Sequence, residues 1–163
     1  MLRITKQTDY GIMLLTRMAG IPEGNLLSAR DAAEWSGLSL PMVSKILKSL
    51  ARGGIVVSHR GVDGGYSLAQ QASETSVANV IRALEGPISM VECGAHPGQC
   101  DHESSCPVRV NWGRINLVVE RALEQVPISE MVDGQPTELL SLVGEMNERD
   151  SSSKTNETRT EQR

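Results

Sequence analysis

The three cysteines of this 163-residue chain, Cys93, Cys100 and Cys106, lie within one short stretch. Two of the three histidines, His96 and His102, stand between them. Thiolates bind zinc and iron–sulfur clusters, and clustered cysteines in a reducing compartment are more typical of a metal or redox site than of disulfides. This segment is therefore the first candidate for chemistry.

The spacing of the cysteines leaves the type of site open. Their spacers are six and five residues long, whereas zinc sites usually pair cysteines about two to four residues apart and add a fourth protein ligand. His96 or His102 would complete a Cys3His zinc site. Iron–sulfur clusters are larger and accept wider spacing. Zinc, an iron–sulfur cluster and metal-free redox thiols all remain open on these residues alone.

The composition limits what can surround this segment. Apolar residues make up 39% of the chain, with no Phe, two Trp and two Tyr, so we expect a mostly aliphatic core. Residues 1–70 carry a net charge of +3 and residues 71–163 carry −7. The acidic total argues against non-specific nucleic-acid binding, whereas the basic N-terminal half allows a local surface for DNA.

The first apolar run is too short for a signal peptide or a membrane anchor. It extends from Gly11 to Leu15, and the charges of Asp9 and Arg17 interrupt the stretch on either side. We therefore expect a cytoplasmic protein that does not enter a membrane.

The N-terminal third has the pattern of a helix-turn-helix. A first helix with apolar residues at helical spacing is expected to start at Thr8 or Asp9 and to end at Gly20. Ser28 can cap a second helix, and Gly37 then supplies a turn. Ser39 can cap a third helix, which has Pro41 in its first turn. Its predicted buried stripe is Val43, Ile46, Leu47 and Leu50.

A β-hairpin is predicted directly after this third helix. Residues 55–58 and 66–68 are typical of strands, and the glycine-rich loop 61–65 joins them. A hairpin in this position is a wing. His59 and Arg60 lie near its tip, where a long cation can reach a phosphate or the minor groove.

The C-terminal half contains two further amphipathic segments. Residues 76–87 predict a helix that ends at Gly86-Pro87. Residues 108–126 predict a longer helix, whose apolar stripe would pack on a dimer partner, or alternatively on its own domain. That stripe consists of Val108, Trp112, Ile115, Val119 and Ala122. Residues 148–163 contain no apolar residue and are expected to be disordered.

The wing sequence SHRGVDGGYSL, residues 58–68, resembles the signature S-x-R-G-x-x-G-G-Y-x-L of the IscR-like winged-helix regulators. The order of the parts is also similar over roughly residues 1–140. The implied fold is mainly α with a small β-hairpin wing. Its implied divisions are a DNA-binding domain at 1–86, a cluster-binding loop at 87–107, a dimerisation helix with C-terminal elements at 108–147, and a tail at 148–163.

The resemblance implies a homodimer with one iron–sulfur cluster, [4Fe-4S] or [2Fe-2S], per protomer. Cys93, Cys100 and Cys106 would bind it together with a fourth ligand. In the member that typifies the family this ligand is a histidine three residues after the last cysteine, a position that Arg109 occupies here. In the nitric-oxide-sensing branch, which shares the TDY motif, the matching ligand is Asp9 of the partner subunit. His96, His102 and Glu92 are the alternatives.

The predicted function is that of a cluster-sensing transcriptional regulator. The opening MLRITKQTDYG resembles the branch that regulates the SUF iron–sulfur assembly system, which implies a repressor of cluster-assembly genes acting on a palindromic operator. The alternatives are a nitric-oxide or redox sensor of the same fold and, in a different class, a zinc-binding interaction module. An enzyme is not expected, since the sequence shows no paired carboxylates, nucleophile elbow or phosphate loop. The predicted DNA contacts are Ser39, Ser44, Lys45, Lys48, Ser58, His59, Arg60, Gly64, Gly65 and Tyr66.

Overall fold

The computed structural model describes residues 4–22, 24–61, 63–96, 98 and 100–132. The predicted disordered tail at 148–163 lies outside these residues. The helices of the described part are α1 Lys6–Ala19, α2 Ala29–Ser36, α3 Leu40–Arg52, α4 Val77–Glu85, α5 Glu92–Ala95, α6 Arg109–Glu124 and α7 Ile128–Val132. The strands are β1 Val56–His59 and β2 Gly65–Leu68.

The first helix starts earlier than the sequence suggested. Its N-cap is Thr5, whose hydroxyl accepts a hydrogen bond from the amide of Gln7 at 3.2 Å. The prediction of Thr8 or Asp9 as the cap was wrong. Thr8 is instead fully buried, and its hydroxyl donates to Glu85 at the end of α4.

The helix-turn-helix is formed by α2 and α3. Ser28 caps α2 by accepting from the amide of Asp31 at 3.1 Å. Gly37 ends α2 with a φ of 69°, a left-handed conformation that a side chain would strain. Ser39 occupies the N-cap position of α3 but makes no side-chain capping bond in the described structure.

An aliphatic core holds the first four helices together. The four residues of the predicted α3 stripe are all completely buried. They pack with Leu14 and Leu15 of α1 and with Val80 and Ile81 of α4. Burial of this apolar surface is the main favourable contribution to the fold. The expectation of an aliphatic core is therefore confirmed.

The hairpin is an antiparallel pair in which Val56 lies opposite Leu68 and His59 opposite Gly65. On its other edge, β2 is anchored to the loop before α2, because Leu27 and Tyr66 exchange two backbone hydrogen bonds of 3.0 and 2.9 Å. The fold is thus mainly α with a small β-hairpin wing, as predicted.

After α6 the chain returns to the helical body. The amide of Val77 donates to Val126, and that of Ile128 donates to Thr75, each at 2.8 Å. Ile128 is completely buried and belongs to the core. Among the described residues, the helices are all too short or too polar to cross a membrane.

Candidate nucleic-acid interface and cysteine segment

Helix α3 presents a polar face opposite its buried stripe. Because successive residues turn by about 100° around a helix, Pro41, Lys45, Lys48 and Arg52 lie on the side away from Val43. These four residues are all exposed. Ser39 is exposed at the start of the helix, and Ser44 is half-buried. This arrangement places the polar atoms of α3 toward solvent.

A groove of about 830 Å³ separates this face of α3 from the wing. It brings together Ser44, Lys45, Lys48, Ser58 and Tyr66, five of the ten predicted DNA contacts. Its described lining contains three cations and no carboxylate. The remaining lining residues are Pro41, Ala51 and Arg52. Cations and hydroxyls are the groups that bind the phosphate backbone of a nucleic acid.

Arg52 was missed by the sequence reasoning. It lies in the last turn of α3, and its guanidinium donates to the hydroxyl of Ser49 at 3.0 Å. The helical spacing of Arg52 from Lys45 and Lys48 is the signal that could have identified it.

Arg60 is exposed in the turn of the hairpin, next to His59, whose Nε2 lies 2.9 Å from the Ser67 hydroxyl. Among the described glycines of the loop, only Gly61 has a positive φ angle, at 131°. At Gly64 a Cβ would lie 2.6 Å from the carbonyl oxygen of His59, and at Gly65 one would lie 2.9 Å from that of Leu27. Gly64 and Gly65 therefore allow the tight packing of the wing.

The cysteine segment is built from short pieces. Cys93 lies in α5, Cys100 precedes a 3-10 helix at Glu103–Ser105, and Cys106 precedes α6. All three are free and half-buried. Three free thiols match in kind the donors of an iron–sulfur or zinc site and would supply three of the usual four. Within the described residues, however, the structure does not gather three or more potential ligands into one group.

The candidates for a fourth ligand are spread out. His96 and His102 are exposed in the cysteine segment, and the side chain of Glu92 lies outside what the structure describes. Asp9 is exposed in the first turn of α1. Arg109 cannot bind a metal, and its guanidinium pairs with Glu103 at 2.9 Å.

Side-chain contacts connect α1 with α4 and α4 with α6, the helix that follows the cysteine segment. Thr5 and Thr8 of α1 both donate to Glu85, at the end of α4. Arg82 of α4 pairs with Glu120 at 2.6 Å and also with Glu124 of α6. The hydrogen bonds to Glu120 and Glu124 raise the pKa of Arg82, so this guanidinium stays charged.

The fold is a winged helix, and a cationic groove lies beside α3, the second helix of the helix-turn-helix. This combination is typical of DNA-binding regulators. The model of the Rrf2 family, described as an iron-dependent transcriptional regulator, matches residues 4–134. The chain therefore belongs to the Rrf2 family. Its members are transcriptional regulators and not enzymes.

Solved structures show the same fold. The chain is 27% identical to CymR (YrzC), the global cysteine regulator of B. subtilis, with a TM-score of 0.64 over 83% of this chain and 99% of that one. It is 26% identical to the oxidized form of Staphylococcus aureus CymR, with a TM-score of 0.60 over 83% and 100% of the two chains. T. potens IscR is 24% identical, with a TM-score of 0.59 over 80% and 86%.

Proposed function

We propose that this regulator represses iron–sulfur cluster assembly genes in the cytoplasm as a homodimer that senses cluster status. The observation that carries the DNA-binding part is the groove between α3 and the wing, which Lys45, Lys48 and Arg52 line without a carboxylate. Two such units related by a two-fold axis would read a palindromic operator.

The sensing part of the proposal rests on the cysteines. Cys93, Cys100 and Cys106 are free, half-buried and within one segment that α6 connects to α4. When bound there, an iron–sulfur cluster would supply a centre that is labile to oxidation and nitric oxide. The family's iron dependence supports this choice over zinc.

Asp9 of the partner subunit is the proposed fourth ligand. It is exposed, while Arg109 is engaged by Glu103 and brings no lone pair. A carboxylate is a hard ligand and binds a thiolate-held cluster weakly, so its bond would be the first to be lost. Because Asp9 follows Thr8, which contacts Glu85, gaining or losing that bond would act directly on α1 and α4.

Binding of an iron–sulfur cluster is tested by anaerobic purification followed by iron and acid-labile sulfide analysis. We expect sulfide in the wild-type protein and its loss when each cysteine is replaced by Ala. The third histidine, His59, lies in the wing, so His59→Ala serves as a control that should keep the cluster. Stoichiometric zinc without sulfide in the wild-type protein would replace this proposal with a zinc module.

The fourth ligand is tested by comparing Asp9→Ala with His102→Ala. We expect Asp9→Ala to keep some cluster on three thiolates, with an altered absorption spectrum and DNA affinity that no longer responds to cluster status. His102→Ala should behave like the wild type. The reverse result would assign the bond to the histidine and exclude the cross-subunit contact.

A thiol-based redox regulator is the second candidate. It is favoured by the free thiols, by the lack of a gathered ligand group among the described residues, and by the similarity to CymR, a cysteine regulator. Under this hypothesis the protein purified anaerobically would contain neither iron nor zinc. A mild oxidant would then change its DNA affinity, and a cysteine variant would abolish that response.

A further inference from the structure

A mostly buried carboxylate lies in the middle of the cysteine segment. The side chain of Glu103 is 12% exposed. It accepts a hydrogen bond from the amide of Gly98 at 2.6 Å and forms an ion pair with the guanidinium of Arg109 at 2.9 Å. A carboxylate removed from water is costly unless it is paired and hydrogen-bonded, so these two contacts hold Glu103 where it is.

The same two residues are bonded to cysteines through their backbones. The amide of Glu103 donates to the carbonyl of Cys100 at 3.0 Å, and the amide of Arg109 donates to that of Cys106 at 3.4 Å. The side-chain pair therefore closes a ring that contains both cysteines. While the ring is closed, the distance between the backbones of Cys100 and Cys106 has little freedom.

Arg109 also approaches the third cysteine. With Cys93 and Trp112 it lines a cavity of about 250 Å³. Asn116, which lines the same cavity from α6, accepts from the amide of Met90 at 2.9 Å and donates to the carbonyl of Ile88 at 3.1 Å. The chain leading into α5 is thus fastened to α6. Arg109 borders the cavity beside Cys93 and pairs with Glu103, which follows Cys100 in the chain.

We propose that Glu103 and Arg109 are positioning residues that order the cysteine segment before any metal group binds. Arg109 would keep Glu103 in position and would not itself be a ligand. The consequence for cluster binding rests on the proposed function, whereas the ordering itself does not. The charge of Arg109 would also offset part of the negative charge that thiolates bring to this site.

The ordering of the cysteine segment is tested directly on the apoprotein. We compare Glu103→Gln with Asp101→Asn, which removes an exposed carboxylate from the same segment, and Arg109→Gln with Arg114→Gln on the same helix. Reaction of each cysteine with a thiol reagent is followed by peptide mass spectrometry. Loss of a charge-assisted bond should speed reaction at Cys100 and Cys106 about five- to tenfold, and the control variants should match the wild type.

Two further variants separate positioning from general damage. The double variant Glu103→Gln/Arg109→Gln should react no faster than either single variant, because the pair is already broken. Arg109→Lys, which keeps the charge, should restore slow reaction in part. Unchanged melting temperatures exclude loss of the fold. Reactivity of Glu103→Gln equal to that of Asp101→Asn would overturn the inference.

Cluster loading separates this inference from the proposed function. If the wild-type protein holds iron and sulfide, Glu103→Gln should lose them faster to a chelator than Asp101→Asn does. If the wild-type protein holds none, the proposed sensing role fails, yet the difference in apoprotein reactivity still supports the ordering role. A loaded wild type with an equally stable Glu103→Gln variant would contradict the positioning role.

Discussion

The cationic side chains of the proposed DNA-binding surface differ in how strongly other side chains restrain them. Arg60 is exposed in the turn of a short hairpin, and within the described part of the chain its side chain makes no hydrogen bond or ion pair. Arg52 is restrained by its bond to Ser49 and shares a groove with Lys45 and Lys48. A free cation at a tip can enter a minor groove, whereas a restrained one beside other cations suits a phosphate.

Replacement of Arg60 by Ala should weaken binding to the specific operator by about 1–3 kcal/mol, the usual cost of a lost arginine contact with DNA. Fluorescence anisotropy with the operator and with a scrambled duplex of equal length measures the difference. Binding to the scrambled duplex serves as the control and should change less. Equal operator affinities for the variant and the wild type would make the wing a structural element only.

At the scale of elements, α3 and α4 have separate tasks. Helix α3 packs against the core with one side and exposes the other, so its exposed polar residues can vary without disturbing Val43 or Leu47. Helix α4 contacts α1 through Glu85 and α6 through Arg82. It therefore connects the DNA-binding unit to the helix that follows the cysteines.

Arg52, in the last turn of α3, should bind a phosphate of the DNA backbone. Arg52→Ala is expected to weaken binding to all duplexes by a similar factor and to reduce the slope of log K against log salt by about one. Ser44→Ala, in the same groove, is the matched comparison and should leave that slope unchanged. A titration from low to high salt with both duplexes measures this. An unaltered slope for Arg52→Ala would remove Arg52 from the interface.

At the scale of the whole molecule, α6 is the least covered helix of the described structure. It has no buried residue, and Ile115, Leu117 and Val118 are each 45–46% exposed. Ile115 and Val118 lie within about 60° of each other around the helix, whereas Leu117 lies on another side. A patch of exposed apolar side chains marks an association surface. The predicted dimerisation stripe is Val108, Trp112, Ile115, Val119 and Ala122, of which Val108, Trp112 and Ile115 are 45%, 37% and 45% exposed. That α6 is the dimerisation helix stays a prediction, and packing only on its own domain would leave these side chains uncovered.

Placing a charge on this surface should separate the subunits. We expect Val118→Glu to elute as a monomer and to lose binding to a two-half-site operator, because a buried carboxylate at an interface is unpaired. Gln125→Glu adds the same charge at the end of α6 and should remain dimeric. Analytical ultracentrifugation and footprinting measure both effects. A dimeric Val118→Glu variant, or a footprint over one asymmetric half-site, would contradict the arrangement.

The sequence by itself determined the local elements of this protein. Capping by Ser28, the turn at Gly37, the buried stripe of α3 and the order of strands in the wing all depend on neighbouring residues and on periodicity. The signature of the wing is equally local, which is why the winged-helix fold could be predicted. The position of Thr8 could not, because its burial depends on Glu85, far away in the chain.

Only the tertiary structure decided which distant residues meet. It placed Arg52 in the groove with Ser58 and Tyr66, and it paired Glu103 with Arg109 around the cysteines. It also returned Ile128 to the core beside α1. Each of these contacts joins segments whose separation is set by how helices pack. Residue type and spacing predict an element and its buried face, but the partner of that face follows from packing of the whole chain.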